Sequence, residues 1–475
     1  MPLPALIARH DARCATDWER TVNARMIAKV VGIGVLAGAL LIPVAMIRDL
    51  VGERQMRSNT VATDIANGWG GHQSVAGPWL RVAYERHWTE TSQDVVNDKA
   101  VERRRERVET GVLRIPVDEV AWTMDVTASE KARGIFKARL YAAQISVSGI
   151  VTIPARFGID DAKSRYQFSK PHLTVGVADP KGLRSASLLE FGTQRVAFLP
   201  GLGDTIDATG IHAPLDLAVA SEARTLPFQF SLELAGSEAL AFAPVARDAS
   251  VAIRANWAHP SFFGPFLPAK HAIDDAGFTA EWKISRYAST GADRLASCQR
   301  DKACDALGRE KFGVSFIEPV GVYQQLDRAS KYGFLFVGLL FAAFGLFELL
   351  KRLAIHPIQY ALVGLALAMF FLLLTALSEH LGFAKAYAFA TLACVGLVTV
   401  YVVRVLRSII AGTAFGAGLL ALYGALFLLL RAEDYALIAG ALLVFAILAA
   451  VMVGTRRIDW YQLTAGEKKA PDATH

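Results

Sequence analysis

The sequence predicts a membrane α-helical bundle of six transmembrane helices, with a large β-rich, sandwich-like exported domain inserted between helices 1 and 2. Three observations predict it. The last third of the chain alternates long apolar runs with short polar breaks. One further apolar run stands near the N-terminus, and the long segment between holds most of the charge and reads with a period of two.

The C-terminal block contains apolar runs at Tyr332–Leu350, Ile358–Leu377, Phe383–Val403, Ile409–Leu430 and Ala436–Gly454. Each is about 20 residues, the length a helix rising about 1.5 Å per residue needs to cross the hydrocarbon core. The breaks KRLAIHP, SEHLG, RVLR and RAEDY are too short for structure of their own, so successive helices are antiparallel neighbours. The first span, Met26–Ile47, follows Arg9, Arg13, Arg20 and Arg25. It is long and no small-residue cleavage site follows, so it reads as an uncleaved signal anchor.

Basic residues near helix ends are retained in the cytoplasm. Lys351 and Arg352, Arg404 and Arg407, and Arg456 and Arg457 all fall on one side if the spans alternate. That side is the cytoplasm, and both termini lie inside. The expected division is a cytoplasmic extension 1–25, helix 1 at 26–47, a periplasmic domain 48–329, a five-helix bundle 330–457 and a cytoplasmic tail 458–475. The localisation expected is a bacterial inner membrane, multi-pass. Hydrophobic residues make up 53% of the chain and charged residues 20%, so a sizeable water-facing domain accompanies the bundle. The net charge of +6 follows from the positive-inside rule, and no nucleic-acid partner is expected.

The exported segment reads as strands. ARLYAAQISVSGIVTI from Ala138 suggests paired strands, and HLTVGVA from His172, PFQFSLELAG from Pro227 and FTAEWKISRYA from Phe278 add more. Gly77-Pro78, Asp179-Pro180, Gly201 to Gly203 and Gly264-Pro265 are turn signals. The stretch Asp64–Trp69 is a short helical link to the first strand, and the charged run ERRRERVE from Glu102 decorates a hairpin or loop. Gly34 and Gly38, and again Gly412 and Gly416, have the spacing of close helix packing.

Candidate functional residues are few. Glu379 and His380 stand at the outer mouth of the bundle, and Glu433 and Asp434 reach the same face from another break. Together they have the chemistry of a proton relay, a cation site or an acid/base pair, and equally that of helix ends facing water. Glu348 lies inside a span, where a carboxylate is costly unless it snorkels or pairs with Lys351 or Arg352. The run NWAHPSFFGPFLP, with Trp257, His259, Phe262, Phe263 and Phe266, suits either a rigid partner-binding loop or a plug in the β core. Cys298 and Cys304, in CQRDKAC, are either a periplasmic disulfide or two free thiols. No His or further Cys stands at ligand spacing beside them, so no metal is expected. GxSxG, HExxH, Walker and dinucleotide signatures are absent, and neither a catalytic residue nor a cofactor is expected.

RASKYGFLF from Arg328, ELLKRLAIHPIQYALVGLALAMFFLLLTALSEHLGFAKAY from Glu348 and EDYALIAGALLVFAILAAVMVGTRRIDWY from Glu433 resemble the CreD family of bacterial inner-membrane proteins. So do FGVSFIEPVGVY from Phe312, NWAHPSFFGPFLP from Asn256, RGIFKARLYAAQISVSG from Arg133 and AGPWLRVAY from Ala76. The resemblance implies a protein tied to cell-envelope integrity, produced under a two-component sensor and linked to colicin tolerance and β-lactam response. It implies no catalytic mechanism. The expected function is therefore non-enzymatic support of the envelope and its stress response through the periplasmic domain. The expected partners are the lipid bilayer and cell-wall or envelope proteins. The alternatives are an ion-coupled transporter or channel, and an interfacial membrane hydrolase with His380 as base, either one using the outer-face ionisable residues.

Overall fold

A computed structural model describes residues 4–96, 99–203, 209–297, 310–316, 321–351, 356–431 and 436–456. The chain forms two compact units, one of residues 1–57 with 320–475 and the other of residues 58–319. The expected pair Cys298 and Cys304, and the acids Glu433 and Asp434, lie outside the described residues.

Residues 58–319 carry two nine-stranded sheets. The first is built on β1 (Gln73–Val96), which pairs with β2 (Lys99–Pro116) along its whole length. The second is built on β3 (Glu119–Arg133) and β4 (Phe136–Ile153), extended by the strand Arg224–Ser237. Alternation places Ala143, Ile145 and Val147 of β4 inward and Gln144, Ser146 and Ser148 outward. These residues share one hydrophobic core with Leu80, Val82, Leu173 and Val175 of the first sheet.

Two readings of this region are corrected. The stretch from Ala138 is one 18-residue strand, not two paired ones. Gly149, which looks like a break, is a point of close approach: a Cβ there would sit 2.1 Å from the Glu119 carbonyl oxygen and 2.6 Å from the Phe228 ring. Gly77-Pro78 is not a turn but lies inside β1, where the register shifts between Ala76 and Trp79. A bulge accommodates proline because the missing N–H is not needed there. Asp179, by contrast, caps a short turn, accepting a hydrogen bond from the Lys181 N–H. The Arg103–Arg107 run lies on the exposed outer part of β2, with Arg107 Nε 2.8 Å from Glu90.

The helical unit contains most of α1 (Pro4–Trp69). After α2 (Gly291–Ser297) of the β unit, it continues with α3 (Val322–Lys351), α4 (Pro357–Leu381), α5 (Phe383–Leu406), α6 (Ile409–Arg431) and α7 (Ala436–Thr455). Among the described residues, the stretch Val31–Trp69 of α1 and the whole of α4, α5 and α6 are long and apolar enough to cross a membrane. In α1, Leu40, Val44, Ile47 and Val51 recur at helical spacing and are buried against α3 and α4. A Cβ at Gly333 would meet Val44 at 3.0 Å, and one at Gly364 would meet Leu40 at 2.1 Å.

Helix ends differ from the apolar runs. Asp64–Trp69 is the end of one continuous α1, and Trp69 is held in the β unit by the Lys131 ammonium 3.7 Å above its ring. α3 begins ten residues before its apolar run, because VYQQLDRASK contains no helix breaker. Ser378, Glu379 and His380 lie inside α4, not in a loop. The break is Gly382 alone, at φ +76°, a backbone region that costs an L side chain energy. Gly412 and Gly416 pack against Val403 and Thr399 of α5, whereas a Cβ at Gly34 or Gly38 would meet nothing within 4 Å. The second pair therefore behaves as expected and the first does not pack within the described chain.

Candidate functional site

The cytosol-to-exterior order expected of α4 puts its last turn at one end of the helical unit, and there the structure gathers ionisable groups from three helices. Glu379 is almost wholly enclosed, with 7% of its side chain exposed. The Tyr323 hydroxyl of α3 donates to Glu379 Oε1 at 3.0 Å. Arg54 Nε of α1 stands 3.6 Å from the same oxygen and is 39% exposed. Burial, and then the hydrogen bond to Glu379, push the Tyr323 phenol up to about 12, so it stays protonated and stays a donor. One turn along α3, Asp327 lies 2.6 Å from Lys331 and 3.9 Å from Arg48.

The local sequence explains the placement. Tyr323, Asp327 and Lys331 are four apart on α3 and therefore share a face. Ser378 turns inward beside Glu379 and satisfies its hydroxyl on the Leu374 carbonyl at 2.6 Å. Gly382 N–H closes the turn on the Ser378 carbonyl at 3.1 Å. The result is a clamp in which one carboxylate accepts a hydrogen bond from α3 and pairs with a cation of α1.

Of the residues expected at this end, the structure brings Glu379 into the clamp and leaves His380 exposed one residue on. The side chain of Glu348, near the end of α3, lies outside the described set. Tyr323 and Arg54 were not anticipated. The available signal was the unbroken polar helix former run ahead of the apolar part of α3, which places Tyr323 on a helix rather than a linker.

Deeper in the unit, several polar groups are satisfied on backbone carbonyls. Tyr387 donates to the Tyr423 carbonyl at 2.7 Å, and the buried Cys394 thiol donates to the Ala366 carbonyl at 3.3 Å. Beside Cys394, a groove of about 410 Å³ between α4 and α5 is lined almost entirely by apolar groups, including Leu362, Met369, Phe370 and Leu397.

In the β unit, the aromatic run folds largely inward. Pro260–Phe263 forms a strand, Phe262 packs edge-on against Phe278 and Trp282 at 5.8 and 5.6 Å, and Phe266 against Phe312 at 5.7 Å. Trp257 donates its indole N–H to the His259 carbonyl at 3.1 Å; Phe263 is half-buried and His259 is exposed. Elsewhere, hydrogen bonds from Ser164, the Lys163 N–H and Tyr166, with the charge of Arg86, hold the Asp161 carboxyl down to about 2. Among the described residues no group of three His, Cys, Asp or Glu is placed to hold a metal ion.

Apolar helices of membrane-crossing length, joined in one chain to a two-sheet β unit and carrying a buried interhelical carboxylate, define a membrane protein with a large water-facing part. The chain belongs to the CreD family: the family model described as Inner membrane protein CreD matches residues 25–461. Inner membrane protein CreD of Escherichia coli (strain K12) is 32% identical over 435 residues, which cover 91% of this chain and 93% of that protein. Among solved structures, an M1 zinc metallopeptidase from Deinococcus radiodurans aligns with 35% of this chain and 38% of its own, at 9% identity and a TM-score of 0.17, and carries no inference.

Proposed function

We propose that the chain is a six-span inner-membrane protein with both termini in the cytoplasm and the β unit in the periplasm. In this reading it supports envelope integrity and the response to envelope stress without catalysing a reaction, through contacts of the β unit with wall or membrane partners. The charge pattern supports the orientation, since Lys351, Arg404, Arg407 and Arg456 fall at the ends assigned to the cytoplasm. Family membership supports the inner-membrane setting.

The observation that carries the non-catalytic reading is the clamp. Glu379, the most enclosed of the described ionisable candidates, already accepts from Tyr323 and faces Arg54, and His380 is exposed. Both contacts converge on Oε1, so this carboxylate joins α1, α3 and α4, which is the work of a structural tie. A second reading, an ion-coupled transporter, is favoured by the same burial, since a carboxylate enclosed at a helix end is costly and often functional.

Cells carrying only a variant with E379Q, H380N, E433Q and D434N together, checked for normal membrane levels, separate the two. Retained envelope integrity with no substrate-dependent proton flux in vesicles supports the structural role. Loss of integrity with intact expression overturns it in favour of transport. Labelling single cysteines at His380, which is exposed where Ser378 is buried, Ala432 and Ser408 from outside intact cells checks the orientation: the first two label and the third does not.

A further inference from the structure

We propose that the first three turns of α3 hold the phosphate of an anionic phospholipid, with Arg328 as its principal ligand; this rests on the reading of α3 as a membrane span. Arg328 Nη1 is buried and has no hydrogen-bond partner among the described residues. Such a group costs several kcal/mol when it is desolvated and unpaired, so a counter-charge is strongly favoured there. The adjacent acid does not supply it. Asp327 is taken by Lys331 at 2.6 Å and by Arg48 at 3.9 Å, so two cations already share that single carboxylate.

The neighbours of Arg328 complete a donor set. Gln324 and Tyr332 stand four residues before and after it, and Lys331 three after, so all four share one flank of α3. Gln324 and Lys331 are exposed, and Arg328 and Tyr332 are half-buried. An amide, a guanidinium, an ammonium and a phenol succeed one another over about 12 Å of helix. A guanidinium matches a phosphate through two parallel N–H···O bonds, and an ammonium keeps spare donors after engaging one carboxylate. The apolar part of α3 starts at Tyr332, which sets this flank at the depth where headgroup phosphates meet acyl chains. That continuity with an apolar helix favours a lipid over a free ion.

The test uses the full chain in nanodiscs of phosphatidylcholine with and without phosphatidylglycerol, reading bound lipid by native mass spectrometry. Wild type is expected to retain phosphatidylglycerol over phosphatidylcholine by about tenfold or more: both carry a phosphate, but the choline cation of the second offsets it and weakens the charge-assisted hydrogen bond, which supports a ratio of about that size. R328Q is expected to lose that preference, R328K to keep part of it, and K385Q, which removes an exposed cation of α5, to keep all of it. Wild type without preference for the anionic lipid, or R328Q with the wild-type ratio, overturns the proposal. Displacement of the lipid by inorganic phosphate alone also overturns it, assigning the site to the free ion. If cysteine at Gln324 is labelled only from inside while the lipid preference persists, the orientation fails and the phosphate site stands in the other leaflet.

Discussion

The Tyr323–Glu379 contact yields the sharpest prediction. Y323F removes one donor from a carboxylate that is 7% exposed and leaves it facing Arg54 alone. A hydrogen bond to a charged group contributes about 1.5–3 kcal/mol, and loss of the partner costs at least that where water cannot replace it. R54A should cost at most about 1 kcal/mol, because Arg54 is 39% exposed at 3.6 Å and solvent screens it. E379Q keeps an acceptor oxygen for Tyr323 but loses the charge, and should fall between the two. The assay is the rate at which a thiol reagent reaches the buried Cys394, retained as the single cysteine of the full chain in nanodiscs, across a denaturant series. Because Cys394 belongs to the helical core, the rate reads the opening of that unit and not of the β unit. Y323F and E379Q should be non-additive by about 1 kcal/mol or more. Additivity within about 0.5 kcal/mol would mean the two side chains do not share the energy the geometry implies.

Three further outcomes follow from the packing and the charges. G149A should destabilise the β unit by about 1–3 kcal/mol, since its Cβ meets the Glu119 carbonyl at 2.1 Å; an unchanged denaturation midpoint would refute the close approach. G412A should lower the stability of the helical unit, with its Cβ 2.7 Å from the Val403 Cα, while G38A meets nothing and should be neutral or slightly favourable by helix propensity; equal effects in Cys394 labelling would contradict this. D161N should weaken the β unit at neutral pH. Because the folded carboxyl is held down to about 2 from an ordinary 3.8, the stabilisation is full above about 4 and fades as pH falls through about 2, so the wild-type advantage in midpoint should close over that window. An advantage that persists at pH 2 would assign it to something other than the charge.

A carboxylate that must alternate between loaded and empty forms needs partners that tolerate both. Tyr323 donates to Glu379 Oε1 and Arg54 stands 3.6 Å from the same oxygen, so groups on two other helices converge on it. The arrangement suits a permanent tie between α1, α3 and α4 better than a shuttle. Arg328 differs, since its buried Nη1 lacks any such tie among the described residues.

How much of this was legible in the sequence depends on the range of the interaction. The middles of α4, α5 and α6 are carried by burial along a single helix, which a run of apolar residues records directly, and the two lie within a few residues of each other. The upstream turns of α3 are polar and escape a hydropathy window, although their composition permits helix throughout. Gly149 shows the opposite failure: a residue that punctuates chains locally is required here because both neighbouring strands of the sheet crowd it, through Glu119 and Phe228, 30 and 79 positions away. The aromatic run around Phe262 has one composition for a binding loop and for a core plug. Rings from Phe278, Trp282 and Phe312 decide that Phe262 and Phe266 face inward, and only the fold brings them there. Glu379 was legible as a residue and not as a site. Its partners lie 56 residues upstream and, for Arg54, on the far side of the whole β unit in sequence, so no spacing rule within one helix could join them. Periodicity reports which face of an element is buried; it does not report which element covers that face, and an interhelical clamp is made of the second kind of information.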